Sequence, residues 1–135
     1  MVFRVRLRPS RRALPAGDVL VGVEWAGLNY KDALVLAGQG NLVKAYPHVG
    51  GIDFAGRVVE SRDGRYHPGQ AVVLTGWRVG ETRWGGFAQR ARVDAGMLVP
   101  LPKRFSTRHD ARHCRARRDA SHQPHPGRGL PAIRR

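Results

Sequence analysis

Val19-Leu20-Val21-Gly22-Val23-Glu24-Trp25-Ala26-Gly27, followed at once by Leu28-Asn29-Tyr30-Lys31-Asp32-Ala33-Leu34-Val35-Leu36-Ala37-Gly38, is the stretch on which the reading of this chain turns. Its first half is rich in β-branched residues and runs from the turn Leu14-Pro15-Ala16-Gly17-Asp18 to Gly27, which predicts a strand. Its second half carries helix signals at both ends. Asn29 suits an N-cap, Asp32 stands three residues on in capping-box register, and Gly38 suits a left-handed stop. Strand followed by short helix is therefore the expectation.

Downstream, apolar runs at 52–59, 71–74, 87–93 and 97–101 are separated by Arg62-Asp63-Gly64 and His67-Pro68-Gly69-Gln70. Short runs punctuated by turn residues predict further strands. Upstream, Val2, Phe3, Val5 and Leu7 alternate with Arg4, Arg6 and Arg8 before Pro9, the period-2 pattern of a half-buried strand. Several short strands with one or two short helices predict a mainly β fold, a partly open β-barrel. The sequence has no internal repeat, heptad pattern or Gly/Ser linker.

With 135 residues the chain has room for one domain of ordinary size. Residues 1–102 hold 48 of the 56 residues of the AVILMFWYC set, so the core lies there. Charge divides the other way: of the net +14, residues 103–135 contribute +8. Such a segment buries too little apolar surface to offset its ordering entropy. The expected division is a domain at 1–104 and a disordered basic tail at 105–135. Cys114 is the single cysteine, which excludes an intrachain disulfide, and Met1 to Arg12 contains no apolar signal core. A cytoplasmic protein is expected. No apolar run approaches the roughly 20 residues of a membrane span.

Two motif-like features carry little. Gly76-Trp77-Arg78-Val79-Gly80 lacks the G-x-G-x-x-G spacing and following helix of a phosphate loop. His109, His113, Cys114, His122 and His125 are a possible ligand set, but one cysteine and no apolar packing leave nothing to fix them around a metal.

Three blocks go beyond composition: Leu28-Asn29-Tyr30-Lys31-Asp32-Ala33-Leu34, Gly51-Ile52-Asp53-Phe54-Ala55-Gly56-Arg57-Val58-Val59, and the run from Leu74-Thr75-Gly76-Trp77 through Trp84-Gly85-Gly86 to Arg90. In order and spacing they resemble the catalytic domain of the medium-chain dehydrogenase/reductase superfamily, in its zinc-free quinone oxidoreductase branch, and within it the acryloyl-CoA reductase-like group. The resemblance covers roughly residues 14–104. It implies a GroES-like β-barrel that supplies the substrate side of an NADPH-dependent oxidoreductase, with the nicotinamide in a cleft against a Rossmann domain. It implies hydride transfer to an activated alkene such as an enoyl thioester, or to a quinone.

By the same resemblance, Asn29 and Tyr30 are the catalytic candidates, Asn29, Asp32 and Thr75 face the cofactor, and Tyr30, Trp77 and Trp84 face the substrate. A tyrosine hydroxyl is a chemically suitable proton donor, an asparagine amide can orient a ribose, and indoles can line an apolar slot. Where zinc alcohol dehydrogenases carry a zinc-binding His, this chain has Ile52, and an aliphatic side chain cannot ligate a metal. No metal is expected. Bland structural roles stand beside each: cap and capping-box partner for Asn29 and Asp32, barrel aromatic for Tyr30, core or cleft wall for Trp25, Trp77 and Trp84.

The chain departs from the family in three places. After Leu101-Pro102 the resemblance implies a glycine-rich nucleotide loop in a Rossmann domain, yet Arg108-His109-Asp110-Ala111-Arg112-His113-Cys114-Arg115 looks like GC-rich coding sequence read out of frame. The expectation is a fragment without its Rossmann domain, unable by itself to bind NADP(H) or turn over, with an exposed apolar face that favours association, a homo-oligomer included. The resemblance implies an additional strand and turn ahead of Leu14, where Met1 to Arg12 is either a substitute for that strand or a misassigned start. Smaller departures are Gly50 for a usual Pro and Gln70 for a usual Asp. A reading from another class stays open: a small basic β-barrel that binds nucleic acid through its Arg-rich tail.

Overall fold

A computed structural model describes residues 14–108. Five strands form a single antiparallel sheet: β1 (Val19–Ala26), β2 (Asp53–Ser61), β3 (Ala71–Thr75), β4 (Arg90–Val93) and β5 (Leu98–Pro100), in the order β4-β1-β2-β3-β5. Helix α1 (Tyr30–Leu36) follows β1, and a 3-10 turn at Ala95–Met97 carries the chain from one edge strand to the other. The fold is mainly β and open, as the spacing of apolar runs predicts. The alternation expected over residues 2–7, and the tail with its histidines and Cys114, lie outside the described residues.

Inward residues of β1 (Val19, Val21), β2 (Phe54, Val58) and β3 (Val72, Leu74) close a core with Val79, Val93 and Leu98. Tyr66 is the aromatic that joins them, donating its hydroxyl to the Leu98 carbonyl at 2.7 Å, and burial pushes its phenol above the ordinary value. Gly56 packs where β2 lies closest against β1: a Cβ there would overlap the Gly22 carbonyl. β1 bends at two register shifts, between Leu20 and Val21 and between Val23 and Trp25. The tryptophans do not fill the core. Trp25 is 42% exposed and Trp77 56%, because branched aliphatics and Phe54 already occupy the interior.

The turns form as their residues dictate. Asp63 accepts from the Arg65 backbone and guanidinium at 2.8–2.9 Å, which pulls its carboxyl down to about 2. Gln70 closes its turn by accepting the His67 N–H on Oε1 at 3.0 Å, so the missing Asp leaves no gap. α1 stops at Ala37, and Gly38 takes the left-handed conformation (φ 67) expected of it. The run at 87–93 is shorter than expected: only Arg90–Val93 is strand. Its upstream part is tied instead to the segment before β2, with Gly85, Gly86 and Phe87 donating to the carbonyls of Val49, Gly51 and Gly50 at 2.7–2.9 Å.

Candidate active site

Sheet register brings three chain segments to one end of the fold. The last residue of β1, Ala26, pairs with Phe54, and the first residue of β2, Asp53, pairs with Thr75 at the end of β3. The exit of β1, the entry of β2 and the exit of β3 therefore lie side by side, and the Gly27 N–H closes the corner on the Asp53 carbonyl at 3.0 Å. A cleft of about 520 Å³ opens there. Asn29 and Lys31 line it from the β1–α1 junction, Ile52 and Asp53 from the entry of β2, and Thr75, Gly76, Trp77, Arg78 and Glu81 from the far side. That volume is within the range of small-molecule sites.

Asp32 is the fully buried post beneath this cleft. Its Oδ2 accepts the Asn29 N–H at 2.8 Å, as the capping-box register predicts, and its Oδ1 accepts the N–H groups of Gly51 and Ile52 at 3.2 and 3.0 Å. One carboxylate thus serves the helix start and the segment entering β2. Gly51 has φ +103, and a Cβ on it would approach Phe87 N to 2.6 Å, so only glycine fits.

Asn29 points its side chain across the corner. Its Nδ2 donates to Asp53 Oδ2 at 2.9 Å, and the Gly76 N–H donates to Asp53 Oδ1 at 3.2 Å. Because a carboxylate only accepts, this partner fixes which end of the carboxamide is the donor. Asp53 is itself buried, and both its oxygens are occupied. Lys31 extends over the cleft and pairs with Glu81 at 3.0 Å, with Glu81 largely buried and Lys31 more than half exposed.

The far wall has an unusual backbone. Gly76, Trp77 and Arg78 are consecutive residues at positive φ (78, 55 and 59). For the two non-glycine residues this costs on the order of 1 kcal/mol or more each, and persists only where surrounding bonds over-determine it. Those bonds are present: Gly76 N–H to Asp53, Val79 N–H to the Gly76 carbonyl at 3.0 Å, and the Arg78 carbonyl accepting from Glu81 and Thr82 at 3.2 and 3.0 Å. The ridge holds the Trp77 and Arg78 side chains at the cleft and in solvent.

Of the candidates named from sequence, Asn29, Thr75 and Trp77 come together in the cleft. Asp32 does not line it: it is wholly buried with both oxygens on backbone donors, and it positions the cleft's walls. Tyr30 is 76% exposed on the first turn of α1 and does not line the cleft. Trp84 lines a separate depression of about 250 Å³, and its indole N–H donates to the Pro47 carbonyl at 3.0 Å. Lys31, Asp53, Arg78 and Glu81 are lining residues that sequence reasoning passed over. Asp53 had a signal, an acid directly ahead of the apolar Phe54-Ala55 of its strand. Ile52 sits in the lining, and among the described residues no three His, Cys, Asp or Glu side chains gather as a metal set.

Comparison with known proteins matches this architecture. The family model of the alcohol dehydrogenase GroES-like domain matches residues 15–103. Acrylyl-CoA reductase AcuI of Ruegeria pomeroyi is 59% identical over 95 residues, 70% of this chain and 29% of that protein. The putative quinone oxidoreductase YhfP of Bacillus subtilis is 43% identical over 97 residues, 72% of this chain and 29% of that protein. The crystal structure of the yhdH oxidoreductase from Salmonella enterica in complex with NADP superposes with a TM-score of 0.75 at 51% identity, over 78% of this chain and 32% of that one. The chain therefore spans under a third of the length of these relatives. With two thirds of its residues inside the family match, this chain belongs to the alcohol dehydrogenase GroES-like domain family, within the medium-chain dehydrogenase/reductase superfamily.

Proposed function

We propose that this chain is the substrate-side domain of a zinc-free, NADPH-dependent oxidoreductase that reduces an activated alkene of the acrylyl-CoA kind, with quinone reduction as the alternative. The relative at 59% identity is an acrylyl-CoA reductase, and the structure at 51% identity holds NADP. The observation that carries the reading is the Asn29–Asp53–Gly76 bond chain, which fixes a polar wall beside apolar Ile52 in a cleft of substrate size. An aliphatic side chain at that point offers no ligand to a metal.

NADP(H), when bound, supplies the hydride. The cleft suits its nicotinamide end: Thr75 presents a hydroxyl, Asn29 an oriented amide and Ile52 an apolar surface. Hydride addition to the β-carbon of an enoyl thioester puts negative charge on the carbonyl oxygen, which needs hydrogen-bond donors. Thr75 and Lys31 are the donors placed in the cleft, and Lys31 is steadied by Glu81. Tyr30 serves as proton donor only to a substrate that overlies the first turn of α1. Asp32 and Asp53 hold the wall. Turnover calls for a nucleotide-binding domain beside residues 14–108.

Within the sheet domain Arg57, Arg65, Arg83 and Arg92 are each paired with a carboxylate, which leaves fewer free cations for the nucleic-acid reading. The test is a chimera in which residues 15–103 replace the matching domain of the Ruegeria enzyme, assayed by NADPH consumption. Reduction of acrylyl-CoA, lost in Asn29→Ala, supports the reading. A folded chimera that oxidises NADPH with a quinone but not with acrylyl-CoA transfers it to the alternative, and one inactive with both overturns it.

A further inference from the structure

Among the cleft's charged groups, one has no counter-charge. Asp53 is occupied by Asn29 and Gly76, and Lys31 and Glu81 neutralise each other. Arg78 lines the same cleft, is exposed, and has no carboxylate partner among the described residues. Its backbone is fixed where the side chain departs: φ 59 follows Gly76 and Trp77, also left-handed, and its carbonyl anchors the next turn. A guanidinium without a carboxylate partner keeps its fork of donors available to a phosphate. The half-exposed Trp77 ring beside it offers a flat apolar surface for an unbranched chain.

Resting on the substrate reading above, we propose that Arg78 is a specificity-determining residue that holds a phosphate group of the acyl thioester's carrier, so that the cleft selects phosphate-bearing thioesters over phosphate-free enones and quinones. The dinucleotide also carries phosphates, and the experiment separates the two sources.

The test uses the whole 135-residue chain. Backbone amide shifts of Gly76, Trp77 and Arg78 are followed by NMR during titration with coenzyme A, pantetheine, NADP, inorganic pyrophosphate and a small quinone. Coenzyme A is expected to act at about tenfold lower concentration than pantetheine, the scale of one charge-assisted bond. That preference should vanish in Arg78→Gln and in Arg78→Gly, the latter being the residue most at ease at φ 59, while Arg90→Gln, on β4, keeps it. Equal responses to coenzyme A and pantetheine overturn the proposal while leaving the thioester reading intact. A preference that survives both Arg78 variants, or falls equally in Arg90→Gln, assigns it to the chain's overall charge, and pyrophosphate reports how large that attraction is. An Arg78-dependent response to NADP without one to coenzyme A assigns the residue to the cofactor, again overturning it. A response to quinone alone removes the thioester reading and this inference together, and no cleft response to any probe overturns the inference.

Discussion

Replacing Asp32 with Ala is expected to cost about 4 kcal/mol of folding stability. The carboxylate accepts three backbone N–H groups, at 2.8, 3.2 and 3.0 Å, and is wholly buried. Two of the donors, on Gly51 and Ile52, are buried and would have no acceptor, at roughly 1–3 kcal/mol each, while Asn29 is half-exposed and can turn to water at about the cost of a lost cap. Asp32→Asn keeps one acceptor oxygen but turns an amide NH2 toward a donor, for an intermediate loss of about 2 kcal/mol. Against a total of roughly 5–15 kcal/mol for a domain, the Ala variant should be close to unfolding. Urea denaturation of both variants, with amide exchange at Gly51 and Ile52, measures this. A loss below about 1 kcal/mol for Ala, or an Asn variant less stable than Ala, would show that the carboxylate is not the post joining helix to sheet.

Gly56→Ala should unfold the domain or cost more than about 3 kcal/mol by thermal denaturation, because its Cβ meets the Gly22 backbone on the neighbouring strand; a well-folded variant would contradict that close approach of β1 and β2. Tyr66→Phe should cost about 1 kcal/mol by losing its bond to Leu98, with stability falling in the wild type as pH rises past 10 through the raised folded value; an unchanged midpoint would count against that bond. Asp63 should titrate at about 2 by NMR and move back toward 3.8 in Arg65→Gln. Its folded value is depressed, so its contribution is complete above 3.8 and is lost as pH falls through about 2; equal values in both proteins would remove Arg65 as the cause.

Local chemistry wrote much of this fold into the sequence. β-branched residues from Val19 onward, the turn residues around Asp63 and Gly69, and Gly38 after α1 all act over a few residues, and each does what its side chain or its lack of one requires. The Asn29–Asp32 spacing is of the same kind, since a helix start fixes the geometry between those positions. The candidate cleft was half legible: Asn29, Thr75 and Trp77 belong to blocks whose order can be recognised along the chain.

The remainder depended on pairing across the fold. Asn29 meets Asp53 across 24 positions and Lys31 meets Glu81 across 50, and neither spacing has a period that a sequence displays. Only the register of β1 on β2 and of β2 on β3 sets those distances. For the same reason Asp32 could not be told from a cleft residue until Gly51 and Ile52 were seen to occupy its second oxygen. Sequence determined which segments are strand, turn and helix, because those choices are settled by neighbours along the chain. Tertiary structure decided which acid is a buried post, which cation is paired and which is free, because charges and donors find their partners through space.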